Sequence, residues 1–214
     1  TAGRMFDFIG KQMVKKQIKR KKMKDKKDII FQTAKTLFAE NGFKDTNVAD
    51  ITRAAGMSVG AFYSYYPSKD KLFMEIYNKE NAKLKQSMIA SANPNDEPAK
   101  LVKHMLIMNI EGIKSNPILA QWYNRDVFSK IEKLFREESG LDSVDFMYGD
   151  TIKLIEYWQT EGKMRSDIPS SLIMAIFSAI INLDLHKDEI GLEYFPQIID
   201  YMTEFIMKGL TEIK

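Results

Sequence analysis

The sequence predicts an all-α protein: a small N-terminal helix-turn-helix domain, joined by a long fourth helix to a larger helical domain, with about nine to ten helices in total. Almost every segment of the 214 residues places apolar side chains at helical spacing, and no segment alternates as a strand does. Glycine, proline and asparagine separate these segments. The clearest break is SANPNDEP, residues 91–98.

The first four helices are delimited by caps and breakers. Asn41-Gly42 ends the first helix, and Asn47 is a suitable N-cap for the second. Gly56 ends the second helix, and the third ends before Pro67. We expect these helices over about residues 26–41, 48–55, 59–65 and 69–92.

The later helices are longer. Pro117, which follows Asn116, suits a first helical turn, and Gly162 and Pro169 separate the helices beyond it. The helix that starts at Pro117 either runs to residue 138 or bends near Asn124. The expected ranges are about 99–115, 117–138, 143–160, 168–186 and 194–210.

Composition excludes several classes of site and suggests a compartment. Cysteine is absent, so disulfides, thiolate metal sites and cysteine nucleophiles are excluded. A reducing, cytoplasmic location fits this composition. No apolar run reaches 18 residues, so we expect no membrane-spanning helix.

Basic residues are concentrated at the N-terminus. Residues 1–27 contain 11 Lys/Arg against Asp7 and Asp25, while the remaining chain holds 21 basic and 27 acidic residues. We interpret residues 1–25 as a basic N-terminal extension. Three readings stay open for it: an arm that binds DNA, an inert tail, or a segment that binds anionic lipid.

The stretch NVADITRAAGMSVGAFYSYY, residues 47–66, has the spacing of a helix-turn-helix motif. Two short helices flank Gly56, which suits a tight turn. Gly60 and Ala61 leave the second helix slim enough to lie in a DNA major groove, and Ser58 and Ser64 offer hydroxyls to bases or phosphates. The alternative is a small helical hairpin without DNA binding.

The stretch from Ile29 to Leu72 resembles the tetracycline-repressor (TetR) family of transcriptional regulators. Thr52 and Asn47 depart from the usual family residues without threatening the resemblance. The residues that carry it are Ala34, Leu37, Phe38, Gly42, Phe43, Thr46, Val48, Ile51, Ala55-Gly56, Ser58, Gly60, Phe62-Tyr63, Tyr65-Tyr66, Ser68-Lys69 and Leu72.

This resemblance implies a homodimeric repressor that leaves a near-palindromic double-stranded DNA operator when a small-molecule effector binds. It also implies a helix-turn-helix domain over residues 26–70 and an effector-binding and dimerisation domain over residues 71–214. The DNA-contacting residues implied are Thr46, Asn47, Val48, Ser58, Val59, Gly60, Ala61, Tyr63, Ser64, Tyr65 and Lys69.

The region from Leu101 to Trp158 is rich in aromatic residues and methionines, which suits an apolar or aromatic effector, with His104, Gln121 or Asn109 orienting it. Ordinary core packing is the alternative for each of these residues. The candidate ligand-binding residues are His104, Met105, Met108, Trp122, Tyr123, Phe128, Tyr157 and Trp158.

The last two helices, about 168–186 and 194–212, are the expected homodimer interface. SSLIMAIFSAIINL, residues 170–183, is apolar nearly all round, so we expect it to be buried on every side. A buried monomer helix is the alternative.

Nothing in the sequence supports catalysis, a metal site or a cofactor. His104 and His186 are the only histidines, and no Gly-rich phosphate loop is present. Two other functions stay open: a helical ligand-binding protein without DNA binding, and a peripheral membrane-surface protein that uses the basic N-terminal segment.

Overall fold

The structure, a computed structural model, describes residues 24–93, 95–124, 127, 142–183, 190–191 and 193–212. Helices dominate these residues and no strand occurs among them, so the predicted all-α class is confirmed. They contain slightly fewer α-helices than the nine to ten expected. One predicted helix is a 3₁₀ helix here, and most of the chain after it, residues 128–141, lies outside the described residues.

The chain divides into two compact units, Thr1–Tyr77 and Asn78–Lys214. Of the basic extension predicted over residues 1–25, residues 1–23 lie outside the described residues. The domain limits predicted at 26–70 and 71–214 stay predictions.

Four helices supply the first unit. Helix α1 covers residues 24–41 of the described chain, α2 is Val48–Ala54, α3 is Val59–Tyr63, and α4, Lys69–Ser91, contributes its first turns. These bounds lie within two residues of the predicted ones. The core of the unit is buried and strongly aromatic, and it includes Ile30, Ala34, Phe38, Phe43, Ile51, Phe62, Leu72, Phe73 and Ile76.

Aromatic rings connect α1, the α1–α2 connection and α4. The ring centroid of Phe73 lies 5.2 Å from that of Phe38 and 4.7 Å from that of Phe43. Such tilted and edge-on pairs add to the burial energy of the rings. These ring contacts hold the α1–α2 connection, which leads into α2, against α1 and α4.

A Schellman motif makes the turn between α2 and α3. Gly56 adopts a φ of 64°, in the left-handed region, and donates to the carbonyl of Arg53 at 3.2 Å. The N–H of Met57 donates to the carbonyl of Thr52 at 2.8 Å. These bonds satisfy the last carbonyls of α2 and require a residue that tolerates positive φ.

The second unit contains α5 (Pro98–Ser115), a 3₁₀ helix (Leu119–Tyr123), α6 (Asp142–Thr160), α7 (Ser170–Leu183) and α8 (Phe195–Thr211). Helix α8 packs against α5 and α7, and α6 packs against α7. The core includes Leu101, Ile155, Trp158, Met164, Ile173, Phe177, Ile180, Phe195 and Ile199.

The helix predicted to start at Pro117 is a short 3₁₀ helix with a defined start and end. The side-chain oxygen of Asn116 accepts from the N–H groups of Ile118 and Leu119 at 3.0 and 3.3 Å. The chain leaves helical geometry at Asn124, whose ψ is 109°. The helix therefore ends at Asn124, the residue near which the sequence analysis allowed a bend.

Helix α7 is not buried on every side within one chain. Ile173, Phe177 and Ile180 face the core, but Leu172 is 52% exposed and Ala175 and Ala179 are also exposed. The sequence expectation of burial all round is therefore not met by the single chain. An apolar face of α7 remains uncovered.

We expect Gly56→Ala and Gly60→Ala to change stability in opposite directions. A Cβ at either position has no atom within 4 Å, so packing does not contribute. Positive φ at residue 56 should cost about 1–2 kcal/mol, whereas alanine in α3 should raise the free energy of unfolding by up to about 1 kcal/mol. Urea unfolding followed by circular dichroism measures both. Equal effects would contradict this account of the turn.

Candidate nucleic-acid interface and ligand cavity

Helix α3 is capped by Ser58. The Ser58 hydroxyl oxygen accepts from the N–H of Ala61 at 3.2 Å, which satisfies an N-terminal backbone donor of the helix. The hydroxyl of Ser64 donates to the carbonyl of Gly60 at 3.3 Å. Phe62 is fully buried, so it orients the helix and leaves the opposite side toward solvent.

The predicted DNA-contacting residues of α3 separate into an outer and an inner set. Val59 is 45% exposed and Tyr63 is 55% exposed, while Ala61 and Tyr65 are half-buried. We call the exposed set the recognition face; it consists of Ser58, Val59, Gly60, Tyr63 and Ser64. Its side chains are small apart from Tyr63, so the helix backbone is accessible to a partner.

The three tyrosines of YSYY differ in environment. Tyr63 is exposed and Tyr65 half-buried, but Tyr66 is 3% exposed and packs on Phe62 with a centroid distance of 5.9 Å. Burial, followed by the nearby carboxylate of Glu75, raises the pKa of Tyr66 above its usual range. Tyr66 is therefore a core residue, and Tyr63 is the tyrosine that reaches outward.

Helix α2 begins with a capping box. The side-chain oxygen of Asn47 accepts from the N–H of Asp50 at 2.9 Å, and the Asp50 carboxylate accepts from the N–H of Asn47 at 3.4 Å. Asn47 stays exposed and Val48 is half-buried. Thr52, which departs from the family pattern, is buried, and its hydroxyl donates to the carbonyls of Val48 and Ala49 at 2.9 and 3.1 Å.

Thr46 lies beneath the surface. It is 1% exposed, and its hydroxyl donates to the carbonyls of Gly42 and Leu37 at 2.8 and 3.2 Å. These bonds fasten the α1–α2 connection to the end of α1. Thr46, predicted as a DNA-contacting residue, is therefore buried in the single chain, where it positions its neighbours.

Lys69, at the start of α4, reaches back to the same connection. Its ammonium donates to the carbonyls of Phe43 and Thr46, both at 2.7 Å, and lies 4.2 Å from the centroid of the Phe43 ring. Charge-assisted bonds of this length are among the stronger hydrogen bonds in proteins. We call this set of contacts the Lys69 anchor. It links α4 to the segment that starts α2.

Lys27 makes a second link between α1 and α4. Its ammonium donates to the carboxylate of Glu75 at 2.9 Å and lies 4.9 Å from the centroid of the Tyr66 ring. Lys27, the last residue of the basic stretch 1–27, therefore makes its contacts inside the first unit.

The second unit contains a cavity of about 70 Å³. Its walls come from α4, α5, α6 and α7 and are mainly apolar. We call it the inner cavity; it is lined by Lys85, Met88, Val102, Met105, Leu106, Asn109, Thr151, Leu154, Trp158, Met174 and Phe177.

Only part of the predicted ligand-binding set meets at the inner cavity. Met105 and Trp158 line it. His104 and Tyr157 are exposed, and the sulfur of Met108 accepts from the hydroxyl of Ser91 at 3.1 Å. Tyr123 is half-buried in the 3₁₀ helix. Phe128 and the side chain of Trp122 lie outside the described residues.

Sequence reasoning did not single out Lys85. Its ammonium donates to the side-chain oxygen of Asn109, which is 2% exposed, and burial lowers the pKa of Lys85 to about 8. The available signal was its position: it lies three residues before Met88 and next to Leu84, within the apolar stripe of α4. A lysine inside such a stripe indicates a buried amine.

Within the described residues, no group of three or more His, Asp or Glu side chains is arranged to hold a metal ion. In the same part of the chain, no helix has the length and apolar character needed to span a membrane.

Residues 30–76 match the family model described as "Bacterial regulatory proteins, tetR family". This helix-turn-helix segment of the chain is therefore of the TetR type. The matched segment contains α2, α3, the Lys69 anchor and most of the first unit's core.

Two of the curated proteins that this chain resembles are named as HTH-type transcriptional regulators. It is 33% identical over 91 residues to the uncharacterized regulator YuxN of Bacillus subtilis, covering 42% of the chain and 31% of the relative. It is 39% identical over 57 residues to QacR of Staphylococcus aureus, covering 27% of the chain and 30% of QacR. The matches therefore span less than a third of these relatives.

A solved structure resembles this chain over most of its length. RolR in complex with the ligand resorcinol matches 89% of this chain and 90% of its own, with a TM-score of 0.61 and 16% sequence identity. At this identity the likeness supports the fold of the second unit and not its ligand.

We expect the buried Lys85 to make stability depend on pH. Its pKa is about 8 in the folded chain, against an ordinary value of 10.5 for an exposed lysine. Between these values the unfolded chain binds more protons, so the free energy of unfolding rises with pH, by about 1–2 kcal/mol between pH 7.5 and 9.5. Tyr66 and Tyr77 titrate above this window because their pKa values are raised.

Urea unfolding across this pH range, in wild type and in Lys85→Met, isolates the contribution of Lys85 to the pH dependence. The rise in the free energy of unfolding with pH should be present in wild type and absent from the variant. Parallel pH profiles for the two proteins would contradict the assigned burial of the amine.

Proposed function

We propose that the protein is a homodimeric transcriptional repressor that binds a near-palindromic operator and is released by a small-molecule effector. The observation that carries the proposal is the recognition face of α3. Gly60 has no side chain, and Ser58 and Val59 flank it in the first turn, so the backbone itself can approach base edges. The similarity of residues 30–76 to a family of bacterial regulatory proteins supports the same function.

The recognition face favours one kind of readout. Val59 offers a methyl surface to thymine methyl groups, and neither it nor Ala61 can make the bidentate hydrogen bonds that read guanine or adenine. Sequence preference would therefore rest largely on apolar contacts and DNA shape. Tyr63 and Asn47 would contact phosphates, which position the protein without reading sequence. Lys69, which the sequence analysis also assigned to phosphate, would instead hold the segment that carries Asn47.

Dimerisation through α7 and α8 is supported by their uncovered apolar side chains. Leu172 on α7 is 52% exposed, and on α8 Tyr201 and Phe205 are 58% and 64% exposed with a ring centroid separation of 6.0 Å. Apolar side chains grouped on adjoining helices are typical of a protein contact. A second copy, related by a twofold axis, would cover them.

Release would act through α4. This helix is continuous from Lys69, in the Lys69 anchor, to Ser91, and Lys85 and Met88 of the same helix line the inner cavity. An effector that enlarges the cavity must displace some of its walls, and a shift of α4 would alter the separation of the two recognition faces. Half-sites lie about 34–36 Å apart, so a changed separation lowers operator affinity.

Selection from a random double-stranded DNA library at fixed salt tests DNA binding. We expect wild type to enrich a near-palindromic sequence, and Tyr63→Phe to lower affinity for the enriched and random duplexes alike, by roughly tenfold, because a phosphate contact is lost. Tyr157→Phe, on an exposed residue of α6, is the control and should bind as wild type does.

Two results would overturn this part of the account. One is that wild type enriches no sequence at low or moderate salt. The other is that Tyr63→Phe changes the preferred sequence and not the overall affinity.

Sedimentation velocity tests the dimer. We expect wild type to sediment as a dimer and Phe205→Glu as a monomer, because the charge would be buried without a partner at the interface. Lys100→Glu, on an exposed residue of α5, is the matched control and should remain dimeric. A dimeric Phe205→Glu variant would place the interface elsewhere.

A further inference from the structure

One residue that lines the inner cavity, Trp158, carries a buried hydrogen-bond donor that lacks an acceptor among the described residues. Trp158 is 1% exposed, and its indole N–H has no hydrogen-bond partner in the part of the chain that the structure describes. Buried polar groups in proteins are nearly always satisfied, so such a donor requires an explanation. One explanation is a ligand that accepts its hydrogen bond.

Lys85 and Asn109 add to this surplus of donors. The ammonium of Lys85 can only donate, so Asn109 must present its side-chain oxygen to it and turn its NH₂ group elsewhere. Among the described residues, no carboxylate pairs with Lys85, and no other charged side chain lines the cavity. Lys85, Asn109 and Trp158 therefore line one cavity in which the described residues supply no counter-ion.

The surrounding walls are apolar. Met88, Val102, Leu106, Leu154 and Phe177 line the cavity beside the donors. A buried amine in such surroundings favours a partner that carries negative charge, since a charge pair with complete hydrogen bonding offsets the loss of water. A carboxylate presents two oxygens that accept several hydrogen bonds and can join an apolar body.

We propose that the inner cavity binds the carboxylate group of a small, otherwise apolar acid, with Lys85, Asn109 and Trp158 as hydrogen-bond donors. The inference deepens the proposed function, because this acid would be the effector that releases DNA. Carboxylate binding is nevertheless measurable without DNA.

Cavity size sets an expectation for the ligand. The volume of about 70 Å³ is below the roughly 300–1,000 Å³ of drug-sized sites, so only the carboxylate and the first carbons of the acid fit without movement. Met88, Met105 and Met174 lie on the walls, and methionine side chains rearrange readily. Longer acids must therefore open the walls, including the α4 wall that holds Lys85.

The test uses benzoate, hexanoate and octanoate, each compared with its uncharged primary amide, at pH 7. Binding is measured by isothermal titration calorimetry. The indole N–H signals of ¹⁵N-labelled protein report the hydrogen bond, with the Trp158 signal identified by its loss in Trp158→Phe.

We expect at least one acid to bind at least tenfold more tightly than its amide and to shift the Trp158 signal. Lys85→Met should remove the preference for acid over amide, and Trp158→Phe should weaken acid binding several-fold. Lys100→Met, which removes an exposed amine from α5, should bind as wild type does.

The proposal is overturned if no acid in the series is preferred over its amide, or if Lys85→Met retains the preference with an unchanged Trp158 shift. Circular dichroism of each variant excludes unfolding as the cause of a loss. If DNA selection fails while acid binding is intact, the proposed repressor function is contradicted and the carboxylate site is supported. If the operator is bound but no acid is preferred over its amide, the carboxylate site is contradicted and the repressor function is supported.

Discussion

The ammonium of Lys69 links the segment before the helix-turn-helix to the first turn of α4. It donates to two carbonyls of the α1–α2 connection and covers the Phe43 ring. Thr46 is bonded on both sides: its carbonyl accepts from Lys69 and its hydroxyl fastens the connection to α1. Because Asn47 then caps α2, the position of the helix-turn-helix follows from the first turn of α4.

Helix α4 carries both the Lys69 anchor and one wall of the inner cavity. Lys69 and Lys85 are on one continuous helix, separated by about 24 Å along its axis. One amine is committed to backbone carbonyls, and the other lies in an apolar cavity with Asn109 as its described partner. Under the proposed function, a ligand that satisfies the second amine would change the environment of the same helix that the first amine anchors. Coupling between sites requires such a shared element.

Local features were predictable from the sequence, and tertiary features were not. The cap at Asn47 and the turn at Gly56 depend on residues adjacent in the chain, and the structure has them as expected. The cap at Ser58 is equally local, but that hydroxyl was assigned from the sequence to bases or phosphates, and the cap was not predicted. Among the tyrosines, by contrast, only packing decides that Tyr66 enters the core while Tyr63 stays outside.

The second unit shows the same limit more strongly. The aromatic and methionine content of residues 101–158 favoured a ligand cavity. Of the residues predicted to line it, Met105 and Trp158 line the inner cavity, whereas His104 and Tyr157 are exposed to solvent. Composition does not specify which helix faces meet. The apolar pattern of α7 likewise did not distinguish burial within one chain from burial against a second copy, and its Leu172 is exposed in the single chain.

Hydrogen exchange in Lys69→Met tests the anchor most directly. The amides of Gly42, Asn47 and Asp50 bracket the anchored segment. The N–H of Gly42 donates to the carbonyl of Phe38, and those of Asn47 and Asp50 donate to each other's side chains. Loss of the ammonium should speed their exchange by at least tenfold, equivalent to about 1.4 kcal/mol, while amides of α5 and α8 exchange as in wild type. Unchanged exchange at all three amides would contradict the claim that Lys69 positions the helix-turn-helix.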